Sequence, residues 1–488
     1  MPIVVVEFIL ILLCSSSIAL NILVWTSTVG QSHNNFLGNI ADILEGAGHN
    51  VTLLMVEFDS DFKSDTGTKL VKHVIRYSSP YYDPADWQTL TFKQGKVFKV
   101  VFGLSLIDFI KMQDYSGIVD DPTLIRTLRD SKFDLGIYEM FHSCPAGVME
   151  LAGVPKTMLA SAIGIGYHHY RILASLTSYG GRMNFIGRLS NVLINGLSWI
   201  FANICERFEQ ALFESRFPGF PDLHELIQKK TDYFLMNTNE FTESTRPTLR
   251  SIHYLGGCAI PAPLPLSDEF ERIISKGTKG VILFSLGSLV KSSHMPVDIR
   301  QADGRVKLFI THGGMNSIHE ALLFGVPMIT LPLFADQDSN AAVAAERGFS
   351  ITLNKLALSK EIIIDAINTA LGQDGEESVY TLRVRQAARL LKGSPEEMRH
   401  MIRRLAQVSA TEPALNHLKL DIRHLNSLQY YNIDCMIVAY IDILSAGAIL
   451  VTRLMFVQHV IKTRASGIRM RNNVACSESY YTLVIHML

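Results

Sequence analysis

The residues best suited to chemistry lie between positions 309 and 340. There an apolar run ending at Thr311 meets His312, the pair Gly313 and Gly314, and then Asn316 and Ser317 where a helical pattern begins. Two glycines let a backbone approach a guest closely, and the free N–H groups and dipole of a helix start favour an anion. A diphosphate is the natural guest. His312 can donate to its oxygens, and Glu320, about two turns into the helix, can accept hydrogen bonds from paired hydroxyls such as a ribose presents. Asp336 and Gln337 follow the next strand at the same carboxyl edge, where α/β sheets bind ligands, and can hold sugar hydroxyls.

Such groups need elements that hold them. Residues 21–25 read as a buried strand, Phe36, Ile40, Ile43 and Leu44 recur at helical spacing up to Gly46 and Gly48, and residues 50–56 read as a second strand. Strand, helix and strand in so short a space form a βαβ unit, which predicts a parallel, doubly wound, Rossmann-like domain. Residues 133–137 and 233–236 continue the strand signal, with a helical stretch over 186–214. Pro261, Pro263 and Pro265 crowd a segment that can be neither helix nor central strand, and serve as a linker. Beyond it, strand patterns at 280–285, 307–311 and 327–331 and helical ones at 359–371 and 376–392 predict a second Rossmann-like domain. The turn after the first strand lacks GxGxxG, which argues against a nicotinamide enzyme.

Residues 311–317 together with Glu320, Pro327, Pro332, Asp336 and Gln337 closely resemble the signature of UDP-glycosyltransferases, in particular the animal UDP-glucuronosyltransferase branch. The resemblance runs over nearly the whole chain, from an apolar start through Ser-Leu-Gly-Ser at 285–288 to a terminal apolar stretch with a basic tail. It implies an α/β GT-B fold, two Rossmann-like domains facing across a cleft, with the acceptor bound by the first and the UDP-sugar by the second. It also implies an inverting, metal-independent transfer whose only cofactor-like partner is the co-substrate, UDP-glucuronic acid or UDP-glucose, and whose acceptor is a small lipophilic molecule. Such a reaction needs a base for the acceptor hydroxyl, and His33, just past the first strand, matches the family's base position. Glu139 is the matching carboxylate that fixes the imidazole and stabilises its cation, at a position where many family members carry Asp. Ser288 is similar to a family residue near the donor phosphates.

The chain departs from this family in one place. Only residues 285–307 separate Phe284 from Leu308, where a family member carries a further strand–helix–strand passage. A crossover needs about a dozen residues and a whole βαβ unit roughly thirty, so at most one crossover fits. The missing passage should carry Trp-x-Pro-Gln, whose Trp stacks on uracil. Trp25, Trp87 and Trp199 all lie in the first half, and Gln301 resumes the pattern after a junction near 296–301 without being assigned to the uracil. Two readings stay open: a glycosyltransferase described without one exon, and an impaired homologue that binds without transferring.

Composition adds placement. Charged residues make up 19% of the 488, below the roughly 25% of soluble domains, and mean hydropathy is positive, so part of the chain should meet lipid. A net charge of −1 argues against nucleic acid as a partner. Residues 1–19 read as a signal peptide, 20–265 as the acceptor domain, 266–430 as the donor domain, incomplete near 290–301, 433–461 as a transmembrane helix and 462–488 as a cytosolic tail. That order predicts a single-pass type I protein of the endoplasmic reticulum membrane with its catalytic domains in the lumen. Six scattered cysteines support neither a zinc site nor a disulfide framework, and a homo-oligomer is left open.

Overall fold

The computed structural model describes residues 19–28, 31–57, 66–78, 115–139, 142–164, 184–244, 248–260, 265–287, 305–333, 336–372, 376–413, 415 and 433–469. Most of the expected signal, Pro261 and Pro263 of the linker, Ser288, the junction at 296–301 and the tail beyond 469 lie outside these residues.

Seven parallel strands form the first sheet: β1 (Asn21–Ser27), β2 (Asn50–Glu57), β3 (His73–Ser78), β4 (Leu135–Glu139), β5 (Thr157–Ser161), β6 (Thr231–Met236) and β7 (Ile252–Tyr254). Their order is β3-β2-β1-β4-β5-β6-β7, with the chain reversing direction across the sheet beside β1. A parallel sheet is covered on both faces, and β4 and β5 are accordingly buried at every residue. Alternation divides the core. Ile22 and Val24 pack on one side with Phe36, Leu37, Ile40 and Leu44 of the helix Gln31–Glu45, while Leu23 and Trp25 pack on the other with Leu128, Val148, Met149 and Phe213.

The second sheet has four parallel strands, β8 (Val281–Ser285), β9 (Val306–Thr311), β10 (Met328–Thr330) and β11 (Ser350–Thr352), in the order β11-β10-β9-β8. The helices Met315–Phe324 and Val379–Leu391 cover one face through Ile318, Ala321, Leu322, Val384 and Leu391. On β8, Ile282 is 42% and Phe284 50% exposed, so this strand leaves an apolar face uncovered. Strands β8 and β9 pair directly, Ser285 opposite Thr311.

The helix Ser394–Thr411 follows the second sheet in sequence but packs on the first. Ile402, Leu405 and Ala406 join the core around Ile22 and Val24. Asp232, wholly buried on β6, accepts from Ser409 Oγ at 3.1 Å and pairs with Lys156 Nζ at 2.9 Å. Arg399 adds hydrogen bonds to the carbonyls of Cys258 and Ile260. This helix lies within the expected donor domain, residues 266–430, and its apolar face packs on the sheet that began the chain.

Residues 420–488 form a separate unit. Its helix Ile433–Arg469 carries a stretch, Ile433–Lys462, whose most apolar 18-residue window has mean hydropathy 2.1 and is not buried, long and apolar enough to cross a membrane.

Candidate active site

On the first sheet, His33 is the third residue of the helix Gln31–Glu45 and Glu139 is the last residue of β4. Neighbouring strands β1 and β4 bring their carboxyl ends together, so a side chain after β1 can meet one at the end of β4. His33 Nδ1 lies 2.6 Å from Glu139 Oε1, and the same oxygen accepts from the Ala162 N–H at 3.1 Å. The histidine side chain is 16% exposed and the glutamate 6%. Burial works against a charge on His33, but the Glu139 carboxylate and the bond to it, with Asp336 adding from the second sheet, carry the balance and hold its pKa above the ordinary 6.5.

On the second sheet, β9 ends at the buried Thr311 and the chain turns into the helix Met315–Phe324 through His312, Gly313 and Gly314. Gly313 adopts φ +84°, a left-handed conformation that favours glycine. A Cβ at Gly287 would lie 2.6 Å from the His312 ring, and one at Gly314 would also collide with it. Two glycines thus let the imidazole sit flush between backbones. Burial pushes His312 down to about 4, against a smaller opposing pull from its hydrogen bond to the Ser285 backbone, so the ring is neutral at physiological pH. Gly314 caps the helix with no side chain bonding across its end, which leaves the N–H groups near Asn316 and Ser317 facing outward. Asn316, Ser317 and Glu320 are half-buried.

After β10, Asp336 and Gln337 open the helix Gln337–Glu346. Asp336 is half-buried and accepts from Asn340 Nδ2 at 2.7 Å. Burial raises its carboxyl above the usual range, opposed by the Asn340 bond and by the charge of His33. His33 and Asp336 therefore sense each other from opposite sheets. Gln337 is 4% exposed and its Oε1 accepts from the Leu333 N–H at 2.9 Å, so it braces the loop after β10. Ser288 lies outside the described residues. Among those described, no group of three or more His, Cys, Asp or Glu side chains is placed to hold a metal ion.

Four residues that join the two halves escaped sequence reading. Asn237, just past β6, donates to Asn316 Oδ1 at 2.8 Å, and Thr242 Oγ1 lies 3.1 Å from His319 Nε2. Arg347 donates to the carbonyls of Glu240 and Glu243. Of these only Asn237 carries a signal in the chain, a polar run over residues 237–240 directly after an apolar strand.

The fold and these residues agree with what the chain is similar to. The family model for UDP-glucoronosyl and UDP-glucosyl transferase matches residues 21–302 and 302–459, two stretches that meet at residue 302. UDP-glucuronosyltransferase 3A2 of Homo sapiens is 27% identical over 68% of this chain and 74% of its own length. UDP-glucuronosyltransferase 3A1 of Bos taurus is 27% identical over 76% and 80%. Among solved structures, a UDP-glucosyltransferase from Polygonum tinctorium capable of glucosylating indoxyl, bound to 3,4-dichloroaniline, superposes with a TM-score of 0.51 at 14% identity, covering 82% of this chain and all of the other. That likeness gives the GT-B fold, and the family match gives the class of chemistry: the chain belongs to the UDP-glucuronosyl- and UDP-glucosyltransferase family of glycosyltransferases.

Proposed function

We propose that the chain transfers glucuronic acid or glucose from its UDP-sugar to a hydroxyl of a small lipophilic acceptor, with inversion and without a metal. The observation that carries this reading is the 2.6 Å contact of His33 with Glu139, set opposite Asp336. His33 Nε2 takes the acceptor proton as the oxygen attacks the anomeric carbon. The new C–O bond forms as the bond to UDP breaks, with the leaving electrons going to the β-phosphate. Glu139 holds the Nδ1–H and stabilises the imidazolium. Thr311, His312, Gly313, Gly314, Asn316 and Ser317, with Ser288, hold the diphosphate; Glu320 takes the ribose; Asp336 and Gln337 take the sugar. Of that last pair Asp336 is the more accessible.

The apolar helix Ile433–Arg469 supports a membrane anchor, and in the proposed topology, which also takes residues 1–19 as a signal, the two sheets lie in the lumen of the endoplasmic reticulum. A second reading has three observations in its favour. The position of β8 at the sheet edge among the described residues, where the first sheet continues beyond β1 into β2 and β3, the uncovered Ile282 and Phe284, and a second domain without tryptophan fit a donor site that lacks one strand–helix–strand passage. On that reading the chain binds acceptors or partners without transferring sugar. Full-length protein in detergent, given 1-naphthol and either UDP-glucuronic acid or UDP-glucose, separates the two. A naphthyl glycoside with release of UDP supports transfer, and UDP-sugar recovered intact across a panel of phenols would favour the impaired homologue.

A further inference from the structure

A line of hydrogen bonds runs from the His33–Glu139 pair to the head of the signature helix, and its polarity is fixed at every joint. Glu139 Oε1 accepts from the Ala162 N–H at 3.1 Å. The Ala162 carbonyl accepts from Asn237 Nδ2 at 2.9 Å, and the same nitrogen donates to Asn316 Oδ1 at 2.8 Å. A backbone carbonyl can only accept, so the NH2 end of Asn237 must face Ala162, and its second N–H is then directed at Asn316. Asn237 is 1% exposed and its backbone is held by its N–H to the Ser161 carbonyl at 2.9 Å, so turning the side-chain amide over would set its oxygen against the Ala162 carbonyl at a site closed to solvent.

We propose that Asn237 is a positioning residue that sets which end of the Asn316 amide faces the donor. By holding Oδ1 of Asn316, Asn237 directs the opposite end, the Nδ2 donor, away from itself at the head of the helix Met315–Phe324. There it adds a donor to the N–H groups that suit a diphosphate. Left alone, an asparagine amide can present either its acceptor or its donor; an acceptor turned toward phosphate oxygens would repel them. The inference rests on the reading of this helix as the diphosphate site. It adds that the first sheet, through Ala162 and Asn237, decides the polarity of a group on the second.

The isosteric change Asn237→Asp tests it. A carboxylate only accepts, so it repels the Ala162 carbonyl and turns Asn316 to offer its NH2 inward and its oxygen to the diphosphate. Binding of UDP to the full chain, measured by calorimetry, should weaken roughly 10- to 100-fold, the range for a hydrogen bond to a charged group. In an Asn316→Ala background the same change should cost clearly less, because only the direct repulsion of the new charge on the diphosphate remains. Asn237→Ala, which removes the hold without adding charge, should weaken UDP binding less and likewise only where Asn316 is present; it serves if Asn237→Asp does not fold. UDP affinity unchanged by either substitution, or lowered equally with and without the Asn316 amide, overturns the inference while leaving the donor site standing. A wild-type chain that does not bind UDP at all overturns the donor site, and the inference with it.

Discussion

Replacing Glu139 with glutamine removes one charge, keeps the length of the side chain, and sets an NH2 where Oε2 is buried without a hydrogen-bond partner among the described residues. Glutamine keeps an oxygen for His33 Nδ1, now at 2.6 Å, and for the Ala162 N–H. A hydrogen bond to a charged partner is worth about 1.5–3 kcal/mol and a neutral one about 0.5–1.5, so the imidazolium loses on the order of 1–2 kcal/mol of support. Since the cation forms as the acceptor proton is taken, the plateau of kcat/KM should fall roughly 5- to 30-fold. The pH profile supplies the sign. His33 works only when neutral, and its pKa in the wild-type protein is held above 6.5. Activity should therefore rise with pH through a midpoint above that value. In Glu139→Gln, burial remains and its main opponent is gone, so the midpoint should move to lower pH even as the plateau drops. Rates with 1-naphthol across pH 5 to 9 read both movements. A midpoint that stays put or moves upward, or a plateau that does not fall, would refute the assignment of Glu139 as partner of the base.

His33→Ala should lower turnover about 10²- to 10⁴-fold with UDP binding nearly unchanged, because the donor groups sit on the other sheet. The same variant should lose stability mainly in acid. A raised folded pKa contributes stability below the unfolded value of 6.5 that disappears as pH rises through the folded one, so urea melts of wild type and variant should differ more at pH 5.5 than at pH 8.5. Ile402→Ala, at a fully buried position where the last helix meets the first sheet, should cost about 2–5 kcal/mol of unfolding free energy while leaving UDP affinity alone. Protease added to intact microsomes should remove only the basic tail beyond Lys462; digestion of the main body would reverse the proposed orientation.

What could be read in the chain was what is local. The runs at 21–25 and 50–56 became β1 and β2 because apolar residues buried on both faces leave a parallel strand few alternatives. The turn from β9 into the helix Met315–Phe324 was legible because glycines and small polar residues at a helix start have a narrow structural meaning. Strand β3 was not legible, since His73, Arg76 and Ser78 break the apolar pattern of an edge strand. The destination of the helix Ser394–Thr411 is a matter of long-range packing: Ile402 carries no mark that it shares a core with Ile22 and Val24. Gln337 reads as a sugar ligand by motif, and the bond its side chain also makes to the Leu333 N–H was not legible because such brackets have no periodicity. Asn237 looks like an ordinary loop residue until Ala162 and Asn316 are placed beside it.

Inversion requires the acceptor oxygen, its proton taken by His33, to attack the anomeric carbon from the face opposite the leaving UDP, and the anomeric configuration of the product tests that most directly. Full-length protein supplied with 1-naphthol and the α-linked UDP-sugar should give a β-glycoside, identified by proton NMR of the isolated product, and His33→Ala should make little of it. An α-linked product, or a β-glycoside formed at the wild-type rate without His33, would contradict the account.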